Sequence, residues 1–278
     1  MSAQAQTFRI GNYDAVPCEM DDLDARGLLW MWQPPSPNAT YTLACDPTVG
    51  ITGWDRRLRT RDDAKVDNAC IQVIRNGGSA PDEQVAEWAA PIDAVDLAAV
   101  VNVLGRLYAG ANEDGQALAA IEVYPGPGLV TQRELINRFG YMNLPRWEHL
   151  DGAVPRATNN FGWTSTRSTR QVLWMRGMNH INRGYIRIHS PWLVEEMTDC
   201  TPDNFLAATG RARYGRHDDR VVAMLIAIWF ANAWTMTIEP TERGGLEVPN
   251  APDYQRTDCT VEQMHESWSE RFSDLIED

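Results

Sequence analysis

Short apolar runs bounded by turn residues alternate along this chain with longer stretches whose apolar positions recur every three or four residues. "LLWMW" (28–32), "YTLACD" (41–46), "NACIQVIRNGG" (68–78) and "QVAEWAAPI" (84–92) are brief and stop at Pro, Gly, Asn or Asp, which predicts strands. "DAVDLAAVVNVLGRLYAG" (93–110) begins acidic, spaces its apolar residues for one helical face and ends on Gly, which predicts an amphipathic helix. A further strand follows in "ALAAIEVYPGPG" (117–128), then a short helix in "LVTQRELINRFG" (129–140). "TSTRSTRQVLWMRGMNHINRG" (164–184) reads as a helix capped by hydroxyls, "YIRIHS" (185–190) as a short strand, and "PWLVEEMTD" (191–199) as a helix with Pro in its first turn. "RHDDRVVAMLIAIWFANAW" (216–234) has no polar residue from Val221 to Phe230, the mark of a helix buried on all sides. Strands come first and then alternate with helices, so the expected class is α/β, a mixed central sheet flanked by helices. Residues 1–40 read as a lead-in with an edge strand, 41–235 as the core, and 236–278 as an acidic C-terminal extension.

Composition narrows the picture. With 278 residues, 44% of them hydrophobic and 11 of them Trp, the chain can bury a sizeable core. No apolar stretch reaches the roughly 20 residues of a membrane helix, so no membrane partner is expected. The opening "MSAQAQTFRIGNYDAVPCEMDD" lacks the charged and apolar regions of a secretory signal, so a cytosolic protein is expected. Cys18, Cys45, Cys70, Cys200 and Cys259 form no CxxC pattern, which argues against zinc and against a disulfide framework. The net charge of −13 argues against a protein that coats nucleic acid. Yet of the 25 basic residues only Lys65 is a lysine. The arginines group as Arg56, Arg57, Arg59 and Arg61, as Arg167 and Arg170, and as Arg211, Arg213 and Arg216. These are either solvated charges of a biased composition or local phosphate-binding edges suited to the guanidinium fork. Arg56, Arg57, Arg59, Arg167, Arg170, Arg211, Arg213 and Arg216 are accordingly the candidate DNA contacts.

Acids supply the candidate chemistry. Two predicted strands end on or carry one, Asp46 and Glu122, and a right-handed crossover through the helix at 93–110 can set the second strand parallel to the first and beside it. Working groups in open α/β sheets gather at the carboxyl ends of strands. Asp218 and Asp219 open the long apolar helix, and three acidic points can therefore meet at one edge. Carboxylates held so close repel each other unless a cation is present, and Mg²⁺ is a hard cation that takes oxygen ligands. Two such ions about 3.5–4 Å apart serve in-line phosphoryl displacement. Each acid also has a plainer role: Asp46 can open the Asp-Pro turn, and Asp218 and Asp219 can cap the helix and meet its dipole. Glu122 sits inside an apolar strand, poorly placed for a solvated face. His217 reads as a capping or supporting residue, and Asp62 and Asp63, among Arg61, Lys65 and Asp67, as a solvated loop.

In this order, an Asp at a first strand end, a Glu in a later strand and "HDD" opening a terminal apolar helix, the chain resembles the ribonuclease H-like superfamily. It is most similar to the nuclease domain of the large terminase subunit of tailed bacteriophages. "YTLACDPTVG" resembles that family's first-strand motif, "IEVYPGPG" its glutamate motif, and "GWTSTRSTRQVLWMRGMNHINRGYIRIHSPWLVEEM" its Gly-Thr-Thr segment with the elements that follow. "GRHDDRVVAMLIA" resembles its closing motif, and the likeness spans roughly residues 41–234. The family usually has Asn two residues after its glutamate, where this chain has Tyr124. The resemblance implies a ribonuclease H-like sheet and cleavage of concatemeric viral DNA during genome packaging, by two-metal hydrolysis with little sequence specificity. Asp46, Glu122, Asp218 and Asp219 would be the catalytic and metal-holding residues, with two Mg²⁺ or Mn²⁺ ions. The partners implied are double-stranded DNA, a packaging ATPase domain, the portal protein and the small terminase subunit, at the procapsid in the host cytoplasm. The chain has no GxxxxGK[ST] phosphate loop, so the packaging ATPase would lie outside it. A junction resolvase, a transposase-like nuclease and a non-catalytic packaging-motor adaptor remain the alternatives.

Overall fold

The apolar runs of the sequence become the strands of one mixed sheet. In this computed structural model the described residues are 5–10, 15–17, 28–48, 68–124, 126–149, 156–202, 205 and 218–231. The strands are β1 (Gln6–Ile10), β2 (Ala15–Pro17), β3 (Leu28–Met31), β4 (Tyr41–Asp46), β5 (Ala69–Arg75), β6 (Asp82–Ala90), β7 (Leu118–Tyr124), β8 (Arg146–His149), β9 (Arg156–Phe161), β10 (Trp163–Thr164) and β11 (Ile186–Arg187). The helices are α1 (Ala94–Leu107), α2 (Pro127–Phe139), α3 (Arg167–Asn182), α4 (Pro191–Asp199) and α5 (Asp219–Ala231). Among the described residues the sheet has nine strands in the order β10-β7-β4-β5-β6-β3-β1-β2, with β11 also paired to β6, and β8 and β9 form a separate hairpin. Strands β10, β7 and β4 run parallel, whereas β5 is antiparallel to both β4 and β6. The class is α/β, a mixed sheet flanked by helices.

Alternation along the strands divides the sheet into two faces. Leu43, Cys45, Ile71, Val73, Ala119, Ile121 and Val123 join Leu97, Val100, Val101 and Leu104 of α1 in one apolar core. The intervening positions turn to the opposite face, where α5 packs on β4, β5 and β7. Helix α5 is buried from Val221 through Ile228, as an all-round apolar helix must be. Helix α3 approaches it at Gly177, where a Cβ would stand 2.3 Å from Leu225 Cδ2. Local sequence sets the helix starts. Asp93 accepts the N–H groups of Val95 and Asp96 at α1, Thr166 and Thr169 form a capping box at α3, and Ser190 accepts from Leu193 N–H at α4.

The lead-in contributes three strands to the sheet where one edge strand was expected: β3 pairs with β6, β1 with β3, and β2 with β1. Strand β10 was not predicted, nor was the β8–β9 hairpin. The chain divides into two units, Met1–Ala231 and Asn232–Asp278, and the second, with the expected acidic extension, lies outside the described residues. Among the described residues no helix is long and apolar enough to cross a membrane.

Candidate functional site

The crossover through α1 sets β7 parallel to β4, with Cys45 opposite Ile121. One residue further along each strand, Asp46 and Glu122 stand side by side at the carboxyl edge of the sheet. Both belong to the face that carries α5 rather than the face that carries α1. They are buried, Asp46 at 9% and Glu122 at 6% exposure, so neither is a solvated turn or surface acid. The start of α5 supplies the third arm. Asp218 stands just before the helix, where its carbonyl accepts the Val222 N–H at 2.8 Å, and Asp219 is the first helical residue.

Three of the four carboxylates are held by a named donor, and Asp46 shares a hydrogen bond with Glu122. Ser165 Oγ, in the turn between β10 and α3, donates to Glu122 Oε1. The Asn68 N–H, ahead of β5, donates to Asp219 Oδ2 at 3.3 Å. Arg170, on the first turn of α3, donates from Nη1 to Asp218 Oδ2 at 3.1 Å, and its Nη2 lies 3.6 Å from Glu122 Oε1. Two glycines let these elements crowd β7. At Gly128 a Cβ would fall 1.8 Å from the Glu122 carbonyl oxygen, so the start of α2 can rest on that strand only without a side chain. At Gly162 (φ +83°) a Cβ would fall 2.3 Å from the Ile121 carbonyl oxygen, and its positive φ delivers β10 alongside β7.

Electrostatics follow from burial and proximity. Desolvation raises the Asp46 carboxyl well above its ordinary range, reinforced by the Glu122 charge, a hydrogen bond between the two carboxyls and the Asp219 charge, with Arg170 opposing. Burial also raises Asp218, again with Arg170 opposing. Burial lowers the Arg170 pKa, but Glu122, Asp218 and Asp46 outweigh it and the guanidinium ends above its usual value. The Cys45 thiol, behind the acids, is raised by burial and then by Asp46 and Glu122. The site therefore has more negative charge than its surroundings satisfy.

Four carboxylates from three separate elements form a hard, all-oxygen donor set, the kind that suits Mg²⁺ or Mn²⁺. Among the described residues no group of three or more His, Cys, Asp or Glu side chains is already drawn together as a ligand shell. The Arg170 guanidinium reaches Glu122 and Asp218 instead.

Of the arginines expected at DNA, Arg167 is exposed on α3, and Arg170 is turned into the carboxylates and uses its charge there. Arg56, Arg57, Arg59, Arg211, Arg213 and Arg216 lie outside the described residues, as does His217. Sequence reasoning missed Ser165 and Asn68. Ser165 carries a readable signal, since it lies in the segment "GWTSTRS" that brings the chain back to β7. Also missed was a second charged cluster beneath the start of α5. There Arg220 Nε donates to Glu87 Oε1 at 2.8 Å and its Nη1 to Glu196 Oε1 at 2.6 Å. The Arg220 backbone N–H donates to Glu196 Oε2 at 2.9 Å, which ties the first turn of α5 to α4. No protein-family model matches the sequence, and no curated protein sequence does.

Proposed function

We propose that this protein is a divalent-cation-dependent DNA endonuclease with a ribonuclease H-like core, of the kind found in phage packaging terminases. The observation that carries the reading is the approach of Asp46, Glu122, Asp218 and Asp219, from β4, β7 and the start of α5, at the carboxyl ends of parallel strands, with Asp46 and Glu122 buried and Asp218 and Asp219 half-buried. The parallel placement of β7 beside β4 supports the ribonuclease H-like assignment, because it is what puts the first two acids of the motif order together.

These four residues would hold one or two Mg²⁺ or Mn²⁺ ions. When bound, the ions supply positive charge to the scissile phosphate and acidify water for in-line attack. The chain's own residues do the positioning. Ser165 fixes the rotation of Glu122, Asn68 fixes Asp219, and the buried α5 holds Asp218 and Asp219 against the sheet. Burial of Asp46 and Glu122 reduces screening by bulk water, so charge brought beside them acts more strongly than at the surface. The proposed substrate is duplex DNA, in concatemers delivered by a packaging motor. Exposed Arg167 is the described candidate for phosphate contact.

Incubating the protein with linear and supercoiled DNA, in EDTA, Mg²⁺ or Mn²⁺, tests the reading on an agarose gel. Cleavage should require the cation and vanish in Asp46→Asn; cleavage in EDTA, or by that variant, overturns it. The ion pairs of Arg170 favour a second reading, a non-catalytic adaptor of the packaging motor in which the guanidinium permanently takes the place of a cation. A folded protein that neither binds Mn²⁺ nor cuts DNA selects it.

A further inference from the structure

We propose that Arg170 is the resident counter-cation of the carboxylate cluster: it neutralises Glu122 and Asp218 while no divalent ion is bound, and must leave them for one to bind. The inference rests on the cation-dependent reading above and adds a competition built into the fold.

Three observations carry it. The guanidinium lies where an ion's charge is needed, 3.1 Å from Asp218 and 3.6 Å from Glu122, with Asp46 also within its field. Its hold is incomplete. The approach to Glu122 is longer than a hydrogen bond, and Nε is a buried donor with no acceptor among the described residues. A bidentate lock would use its donors fully; this placement is set by charge. Finally, two of the four carboxylates are held independently of Arg170. Ser165 holds Glu122, Asn68 holds Asp219, and the Val222 N–H anchors the Asp218 backbone. Removing the guanidinium thus leaves the holds on Glu122 and Asp219 intact and frees the Asp218 carboxylate for a cation.

Charge decides the exchange. At equal distance a divalent ion attracts a carboxylate twice as strongly as a guanidinium does, and the two cations repel each other when crowded among the same oxygens. Arg170 has other contacts near by, since Nη1 also donates to the Phe205 carbonyl at 3.2 Å and its guanidinium lies 5.2 Å from the Phe205 ring centroid. Arg170 therefore offsets part of the cluster's self-repulsion before the ion arrives, and the ion enters only in exchange for it.

The test is Mn²⁺ binding by calorimetry to the full chain, wild type against Arg170→Gln and Arg170→Lys, with far-UV circular dichroism as the check on folding. Removing the competitor should tighten Mn²⁺ binding at least tenfold in Arg170→Gln, with Arg170→Lys between that variant and wild type. A merely structural role would move affinity the other way, so unchanged or weaker binding in folded Arg170→Gln overturns the inference and leaves the metal reading standing. Binding by Arg170→Gln alone supports it, and binding by none of the three proteins overturns both readings. Should Arg170→Gln not fold, the wild type still decides. Its Arg170 Nε–H resonance, assigned by its loss in Arg170→Lys, should shift as Mg²⁺ saturates the site, and a resonance that stays fixed during saturation refutes the exchange.

Discussion

Replacing Arg220 with methionine keeps most of the side-chain stem and strands two carboxylates inside the protein. Glu87 is 1% exposed, on the sheet face under α5, and its other oxygen accepts from Gln72 Nε2 at 2.9 Å. Glu196 reaches the same guanidinium from α4, at 2.6 Å, and burial already raises its pKa. Removing one partner of a buried, hydrogen-bonded ion pair costs about 3–5 kcal/mol, because the partner's charge is left without compensation. Set against a total stability of about 5–15 kcal/mol, that is a large fraction. At about 2–4 °C per kcal/mol for a domain of this size, Arg220→Met should lower Tm by about 6–20 °C. Thermal unfolding followed by far-UV circular dichroism, with urea titration by tryptophan fluorescence, measures it. Adding Glu87→Gln removes the more deeply stranded charge and should recover at least about 1 kcal/mol beyond additivity. A loss below about 1 kcal/mol in the single variant is the range of a solvated surface pair and would refute the reasoning. Cleavage should fall in the same variant, because Arg220 follows Asp219 directly and its side chain holds Glu196, the residue that takes the N–H of that turn.

Three further outcomes follow from the same contacts. Asp46→Asn should abolish cleavage and stabilise the cation-free protein increasingly as pH rises above 3.8: the folded state keeps a proton on Asp46 that the unfolded chain has lost, so wild-type stability declines through that window, as urea unfolding across a pH series would record. Gly128→Ala places a methyl 1.8 Å from the Glu122 carbonyl oxygen and should cost about 1–3 kcal/mol while lowering cleavage, whereas a variant as stable and active as wild type would contradict the close approach. Leu225→Ala, in the buried centre of α5, should cost about 2–5 kcal/mol by urea unfolding.

Much of the fold was legible because its signals are local. The apolar runs of β4, β5, β6 and β7, the Asp93 cap of α1 and the unbroken apolar span of α5 each announce themselves within a few residues. Strands β1 and β2 do not, since pairing to the far side of β3 makes them strands rather than any pattern of their own. Strand β10 is two residues long and exists by pairing with β7. In the site, the adjacency of Asp46 and Glu122 was readable from crossover handedness. The inward turn of Arg170 was not, because its grouping with exposed Arg167 looks like a surface pair and only the packing of α3 against α5 directs it to Asp218. Glu87 is the instructive omission. It sits inside the apolar run "QVAEWAAPI" just as Glu122 sits inside "ALAAIEVY", so the signal that singled out one applied equally to the other.

The contrast between these two buried glutamates separates a structural cluster from a working one. Around Glu87 the fold supplies what the charge needs: two carboxylates share the Arg220 guanidinium, with the Gln72 amide and the Arg220 backbone N–H completing the set. Around Glu122 it does not. Asp46, Glu122 and Asp218 share the Arg170 guanidinium, an excess of two negative charges if all three ionise, and the raised Asp46 and Asp218 carboxyls record the strain. At the start of α5 the Asp218 carboxylate turns to Arg170, and the Arg220 N–H of the first turn is taken by Glu196. Burying unmatched like charges costs stability, and an apolar or amide side chain at any of the four positions would relieve it. The excess lies at the carboxyl ends of β4 and β7 and on the first turn of α5, where a hard divalent cation would turn the repulsion into binding energy.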